Sequence, residues 1–514
     1  MSGPSRSHPG AGSDPATPGA SSGPAPPEAH RGRAGEPSGL RSPAAAVVAT
    51  LALLVAVPYA LGVRLPRLRL LHPLAEGLSL VAAPAPVASV GETQLVIETK
   101  EQEELRQPEE PPPATRTAAS AAAPEVLERP PKPLEDPSGH ALDAFFARLR
   151  AAEEGKPGVA RISYWGDSIV ASDFVTATLR RKLQRRFGDG GHGFMLVANA
   201  WPGYFHNDVT RFATPGWQVS RVVGPFAKDG LYGFGGVSFR SEGPGLFARF
   251  ATARSGTFGR AVSRFVVDYL EHPGGGKLEV KIDGAVREVV ETQGEATRSA
   301  LRTYDVPDGE HELEIRPLGA GVRAFGVWME RERGVVLDAV GIQGARIRFL
   351  DQTDDVHWAE QLALRDPALT IFHYGMNESE DGEKYPLDEY QASMKVVLEQ
   401  VRRALPRASC LLVGPMDRAD KKGEVYSSRP VIPKLAAIQR RVAAEVGCAY
   451  WDTYGAMGGQ GSMGVWVQRG LGGKDLAHPS SAGAELLGSW IHAALIDGYE
   501  AWKRTAPAAP DAGP

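Results

Sequence analysis

The short apolar run from Val159 to Trp165 stops at Gly166-Asp167-Ser168, and from Asp173 onward Val175, Leu179, Leu183 and Phe187 recur at helical spacing. That pattern predicts a buried strand over 159–165 and an amphipathic helix over 173–187. Ser168 then falls at a strand-to-helix switch. In open α/β sheets, ligand sites form beyond the carboxyl ends of the strands, so a serine hydroxyl there is well placed to act as a nucleophile. A tight turn with a capping Ser or Asp would read the same way locally, and the rest of the chain has to decide between them.

The alternation resumes further on. Strands are predicted over 335–340, 368–374, 410–413 and 448–451, with helices over about 387–404, 431–446 and 482–502. Strands alternating with helices predict an α/β fold, a parallel sheet covered on both faces. Small or polar residues follow nearly every strand: Gly166-Asp167-Ser168, Gly341 to Gly344, Gly375-Met376-Asn377 and Gly414-Pro415-Met416-Asp417. All of these should gather at one sheet edge. Between the two halves, from about Trp201 to Arg333, short β-type runs such as 265–269, 278–282 and 313–315 are separated by Gly, Pro and Asp. This texture predicts an inserted all-β domain of sandwich or jelly-roll type.

The amino-terminal part is foreign to this pattern. Residues 1–43 are rich in Gly, Ser, Pro and Ala and carry too little apolar surface to fold, so a disordered tail is expected. Residues 44–63 form an uncharged apolar run of about the length that crosses a bilayer. The run is too long and too far from the start for an ordinary secretory signal, and it reads as an uncleaved transmembrane signal anchor. A buried soluble helix is the alternative, and Pro58 would kink either one. Arg31, Arg33 and Arg41 precede the run and Arg64, Arg67 and Arg69 follow it, so charge leaves the orientation nearly tied. Residues 64–137 are Pro-, Ala- and Glu-rich and suggest a semi-extended linker. The folded region then divides into 138–200, the insert at 201–333 and 334–505, with a disordered tail over 506–514.

With 42% hydrophobic residues the chain can build a sizeable core, and a net charge of -4 gives no nucleic-acid footprint. Two cysteines exclude a disulfide scaffold. Cys410 and Cys448 each open an apolar run, so buried thiols are the default reading and a bridge between neighbouring strands stays open.

Serine hydrolysis needs a base, a group that orients the base, and donors for the developing oxyanion. In Asp475-Leu476-Ala477-His478-Pro479, the carboxylate and the imidazole are three residues apart and can face the same way. Asp475 can hold one ring nitrogen of His478 while the other faces Ser168. A surface Asp and a structural His before a helix would be the bland alternative. The 12 histidines show no ligand spacing, so no metal site is read, and no cofactor is expected. The Gly-x-Ser-x-Gly elbow of α/β-hydrolases is absent.

Taken in order, Gly166-Asp167-Ser168, Gly341-Ile342-Gln343-Gly344-Ala345, Gly375-Met376-Asn377-Glu378 and Asp475 to His478 resemble the four blocks of the SGNH (GDSL-type) hydrolases over residues 140–505. Asp173, Thr176, Leu179-Arg180, Leu183, Phe187-Gly188-Asp189 and Gly193-Phe194 add a resemblance to the peptidoglycan O-acetylesterases, which also carry a carbohydrate-binding-like β domain between the nucleophile and glycine blocks. The chain departs from that family at Ile169, Gln343 and Met376, where His, Asn and Thr are usual. The resemblance implies Ser168 as nucleophile, His478 as general base and acid, and Asp475 as its orienter. It implies an oxyanion hole of the Ser168 N–H, the Gly344 N–H and the Asn377 side chain, with Gly341 as the alternative donor. Trp217 is the first candidate for stacking on a sugar, and Trp201, His206 and His373 are further candidates for lining a cleft, with structural roles as the alternative. The expected protein is a membrane-anchored, extracytoplasmic (periplasmic) esterase that removes acetyl groups from an envelope glycan. A polysaccharide O-acetyltransferase and a non-catalytic glycan-binding protein are the alternatives.

Overall fold

The structure, a computed structural model, describes residues 132–505 except Glu424. The tails over 1–43 and 506–514, the apolar span over 44–63 and most of the linker lie outside the described residues. Among the described residues no helix is long and apolar enough to cross a membrane. The folded body takes in the end of the Pro-rich stretch. Glu135 bridges to Tyr450, and the Trp451 indole N–H donates to the Lys132 carbonyl at 3.1 Å.

The central sheet has five parallel strands: β1 (Gly158–Gly166), β2 (Arg333–Gly341), β3 (Leu369–His373), β4 (Ser409–Val413) and β5 (Ala449–Trp451). Their spatial order is β2-β1-β3-β4-β5. Side chains alternate across it, as the two-residue period of a strand requires. Ile162, Tyr164, Ile371, Leu411 and Val413 belong to one core, with α1 (Asp143–Glu153), the four-residue helix α2 (Ser168–Ala171) and α3 (Phe174–Phe187). The long carboxy-terminal helix (Ser481–Thr505) completes that layer. Trp165, Phe372, Cys410 and Leu412 point into the opposite core, with α4 (Asp355–Arg365), α5 (Leu387–Ala404) and α6 (Val431–Val446). The expected three-layer arrangement is therefore present.

The β insert consists of two antiparallel sheets. The six-stranded sheet runs Arg298–Gly309, Val262–Glu271, Arg323–Glu330, Val237–Arg240, Gln218–Arg221, and Gly193–Leu196 also pairs with Arg323–Glu330. The five-stranded sheet runs Val209–Ala213, Ala248–Thr252, Glu312–Pro317, Lys277–Ile282, Ala285–Glu291. Gly193–Leu196 lies before the boundary expected at residue 201, so the insert sheet draws its first strand from the segment assigned to the hydrolase part.

Helix α4 has no counterpart among the predicted helices, and the reason lies in its buried face. His357, Gln361 and Arg365 are buried together with Trp358 and Leu362, so the helical period is half polar. The polar members have partners that are distant in sequence. The Gln361 carbonyl accepts from Phe234 N–H at 2.8 Å and its amide donates to Asp268 at 3.1 Å. Arg365 grips both oxygens of Asp338 on β2 at 2.7 and 2.8 Å, and also bonds Glu330 of the insert. Buried charges are tolerated when paired in this way. The cluster joins the insert to the sheet.

The two cysteines form a disulfide, with Cα atoms 4.6 Å apart. Cys410 lies in β4 and Cys448 directly precedes β5, which pairs with β4. The bridge between neighbouring strands that the sequence left open is thus formed in place of the default buried thiols, because parallel pairing brings residues 38 positions apart into contact.

Candidate active site

The carboxyl ends of β1, β2 and β3 are level. Gly166 pairs with Gly341 on one side and with His373 on the other. The chain leaves β1 through a turn that only a glycine can make at residue 166, since a Cβ there would lie 2.3 Å from the Val170 side chain and 2.7 Å from the His373 carbonyl. Asp167 caps the next turn by accepting from the Ile169 N–H at 3.0 Å, and α2 starts at Ser168. The hydroxyl is thereby held above the sheet edge.

On the other side of the site, Asp475 organises a tight turn before the last helix. Its Oδ1 accepts from the Ala477 and His478 backbone N–H groups at 3.1 and 3.0 Å, and its Oδ2 accepts from His478 Nδ1 at 2.6 Å. Leu476 between them takes a left-handed φ of 60°, a conformation disfavoured for a branched side chain. It is fixed by a bond from Ala419 N–H to its carbonyl at 3.0 Å. With Nδ1–H donating to Asp475, His478 Nε2 is left to accept from the Ser168 hydroxyl, 2.7 Å away. Burial alone would raise the Asp475 carboxyl, but its bonds from His478 and Ala477 outweigh that and hold it below the usual carboxylate range. Both His478 and Asp475 are about half exposed, at 46% and 53% of their side chains. The site opens to solvent.

Asn377 follows β3 and donates through its side-chain amide to the Ala345 carbonyl at 2.8 Å. That bond ties the asparagine block to the glycine block and leaves the amide its second N–H. The two candidate glycines separate by environment. Gly341 is buried, and a Cβ on it would lie 2.0 Å from Ala171 N, so it serves the close packing of α2 on β2. Gly344 is exposed, has a φ of 79° and has open space around it.

The four candidates for lining the cleft take the structural alternative instead. Trp217 is only 7% exposed and stands edge-on to Phe239 in the core of the insert, with no face free for a sugar. Trp201, His206 and His373 are buried as well. His206 belongs to a chain in which its ring meets His192 at 3.2 Å and the Tyr204 hydroxyl at 2.9 Å. Burial lowers its ring to about 4. Aromatic and imidazole side chains supply packing area as readily as binding surface, and sequence alone does not say which way they face.

Sequence reasoning also missed two arginines that brace the site. Arg418 donates to the Met376 carbonyl at 3.1 Å, and Arg429 donates to the Ser379 and Glu380 carbonyls at 3.1 and 3.2 Å. Both belong to the segment around the hairpin Ala419–Lys422 and Val425–Ser428. The only signal was position, since Arg418 directly follows the Gly-Pro-Met-Asp run at the end of β4.

A hydroxyl, an imidazole and a carboxylate in hydrogen-bonded series at the carboxyl edge of a parallel sheet make the catalytic relay of a serine hydrolase. Residues 316–486 match the model of the GDSL-like Lipase/Acylhydrolase family, so the chain carries a domain of that family. The matched stretch holds the glycine, asparagine and Asp-x-x-His blocks, and the fold adds Ser168 to them. The chain is similar to a solved peptidoglycan O-acetylesterase, at 23% identity and a TM-score of 0.61, over 72% of this chain and 99% of that one. At that identity the likeness speaks for the fold. A family two carbohydrate esterase from Cellvibrio japonicus gives 13% identity and a TM-score of 0.23, with 57% and 98% of the two chains covered. No sequence among curated proteins matches the chain.

Proposed function

We propose that the protein removes O-acetyl groups from an envelope glycan, peptidoglycan first among the candidates, through an acyl-enzyme on Ser168. The observation that carries this reading is the relay from Ser168 to His478 to Asp475, closed at 2.7 and 2.6 Å. His478 takes the hydroxyl proton as Ser168 attacks the ester carbonyl and returns it to the leaving sugar oxygen. It then activates the water that releases acetate. The Ser168 and Gly344 N–H groups and the second amide N–H of Asn377 are the proposed donors to the oxyanion. The structural likeness to a peptidoglycan O-acetylesterase supports this substrate class. The open site favours hydrolysis over transfer to a second glycan, because an acyl-enzyme in contact with solvent is exposed to water.

In this reading the domain works outside the cytoplasm, anchored by the span over 44–63. The Cys410–Cys448 disulfide supports the location, since such bridges persist in oxidising compartments. The deciding experiment incubates a soluble fragment from residue 132 onward with O-acetylated peptidoglycan and measures free acetate. Release that depends on Ser168 is expected, and acetate appearing on an added glycan acceptor instead would favour the transferase.

Asn377→Ala is expected to lower kcat by roughly 10²–10³ with little change in KM, because the lost donor serves the oxyanion and not the bound ester. Steady-state kinetics on a small acetyl ester check this. A pure KM effect would assign Asn377 to substrate binding.

A further inference from the structure

Two carboxyl groups that the hydrolytic relay does not use lie directly beside it. Asp167 precedes Ser168, Glu378 follows Asn377, and both are fully buried. Asp167 Oδ1 takes the Ile169 N–H at 3.0 Å, and the Met376 N–H lies close enough to act on the same group. Glu378 Oε1 takes the Ile347 N–H at 3.0 Å, three residues beyond Gly344, and the Gly375 N–H acts on it as well. The loops that carry Ser168, Gly344 and Asn377 are thus joined through two side chains.

Each carboxyl leaves one oxygen bare. Asp167 Oδ2 and Glu378 Oε2 are buried without a hydrogen-bond partner, as is the Tyr374 hydroxyl, which both carboxyls influence. A buried ionised carboxylate with a bare oxygen carries a large desolvation cost, which protonation removes. The surroundings offer little compensation. Tyr164 and Tyr374 face Asp167, and Tyr374, Tyr385, Tyr390 and Arg346 face Glu378. Arg346 is already bonded to Asp381 at 2.6 Å. Burial, and then the neighbouring Glu378, push Asp167 up to about 7 against the pull of its N–H bonds, and burial pushes Glu378 up to about 7.

Resting on the hydrolase reading above, we propose that Asp167 and Glu378 are positioning residues that work un-ionised and hold the Ser168, Gly344 and Asn377 loops in one arrangement. Their joint ionisation would put like charges between those loops and draw the oxyanion donors out of place. The sign follows from the direction of the shifts. Groups raised in the folded state favour that state at low pH, and the advantage is lost as pH rises through about 7. Turnover then falls on the alkaline side, while KM for a small ester changes little, because the donors act on the transition state.

The test is the kcat–pH profile of the intact protein on a small activated acetyl ester, from about pH 5 to 9, for the wild type, Glu378→Gln, Asp167→Asn and Glu378→Ala. Wild-type kcat is expected to drop roughly tenfold or more between about pH 7 and 9. Glu378→Gln and Asp167→Asn, neutral at every pH, should retain turnover and lose that drop. Glu378→Ala should lower kcat throughout with KM within about twofold. The proposal is overturned if the neutral variants follow the wild-type profile. It is equally overturned if wild-type kcat stays level across the alkaline range, an outcome that needs no variant to fold. Ser168→Ala measured alongside separates the failures: turnover surviving there removes the hydrolase reading itself, whereas an inactive Ser168→Ala with unaltered profiles in the neutral variants removes only the carboxyl pair.

Discussion

Ser168→Ala is expected to abolish turnover of a small activated acetyl ester, with kcat falling by about 10⁶, the scale seen when a serine hydrolase loses its nucleophile. The fold should not notice. The Ser168 side chain makes one hydrogen bond, to the half-exposed His478, and α2 is capped by Asp167 instead. Thermal melting unchanged from the wild type would show that the loss is chemical. Turnover within tenfold of the wild type would remove Ser168 from the mechanism.

Asp475→Asn should be the next most damaging change, lowering kcat by roughly 10⁴. Asparagine can keep the bonds that Oδ1 accepts from Ala477 and His478 N–H, so the turn around the left-handed Leu476 survives. At the other position the amide would present N–H where Oδ2 now accepts from Nδ1. The imidazole would have to turn its proton to Nε2, where it can no longer receive the one on Ser168. Asp475→Ala loses the backbone bonds as well and should also lower the melting temperature. Equal kcat in the wild type and Asp475→Asn would mean that the carboxylate only builds the turn.

The two variants draw on different kinds of information. Asp475 and His478 are three residues apart, so their contact is local and could be read from the chain. The contact of His478 with Ser168 spans 310 residues, and only the parallel sheet closes it. What made it legible was the resemblance carried by four blocks in order, three at strand ends that must reach the same edge in a sheet of this kind and one in the turn before the last helix.

Periodicity and block order by themselves determined the α/β class, the β insert, the five central strands and the members of the relay, because each depends on near neighbours along the chain or on a rule of sheet topology. Tertiary structure alone decided the rest. It buried Trp217 against Phe239, concealed α4 behind polar residues whose partners lie on the insert and β2, and joined Cys410 to Cys448. It also placed Asp167 and Glu378 out of reach of water. The physical reason is common to all four. Whether a side chain is buried, and whether it finds a partner there, depends on residues tens to hundreds of positions away, and no local pattern carries that information.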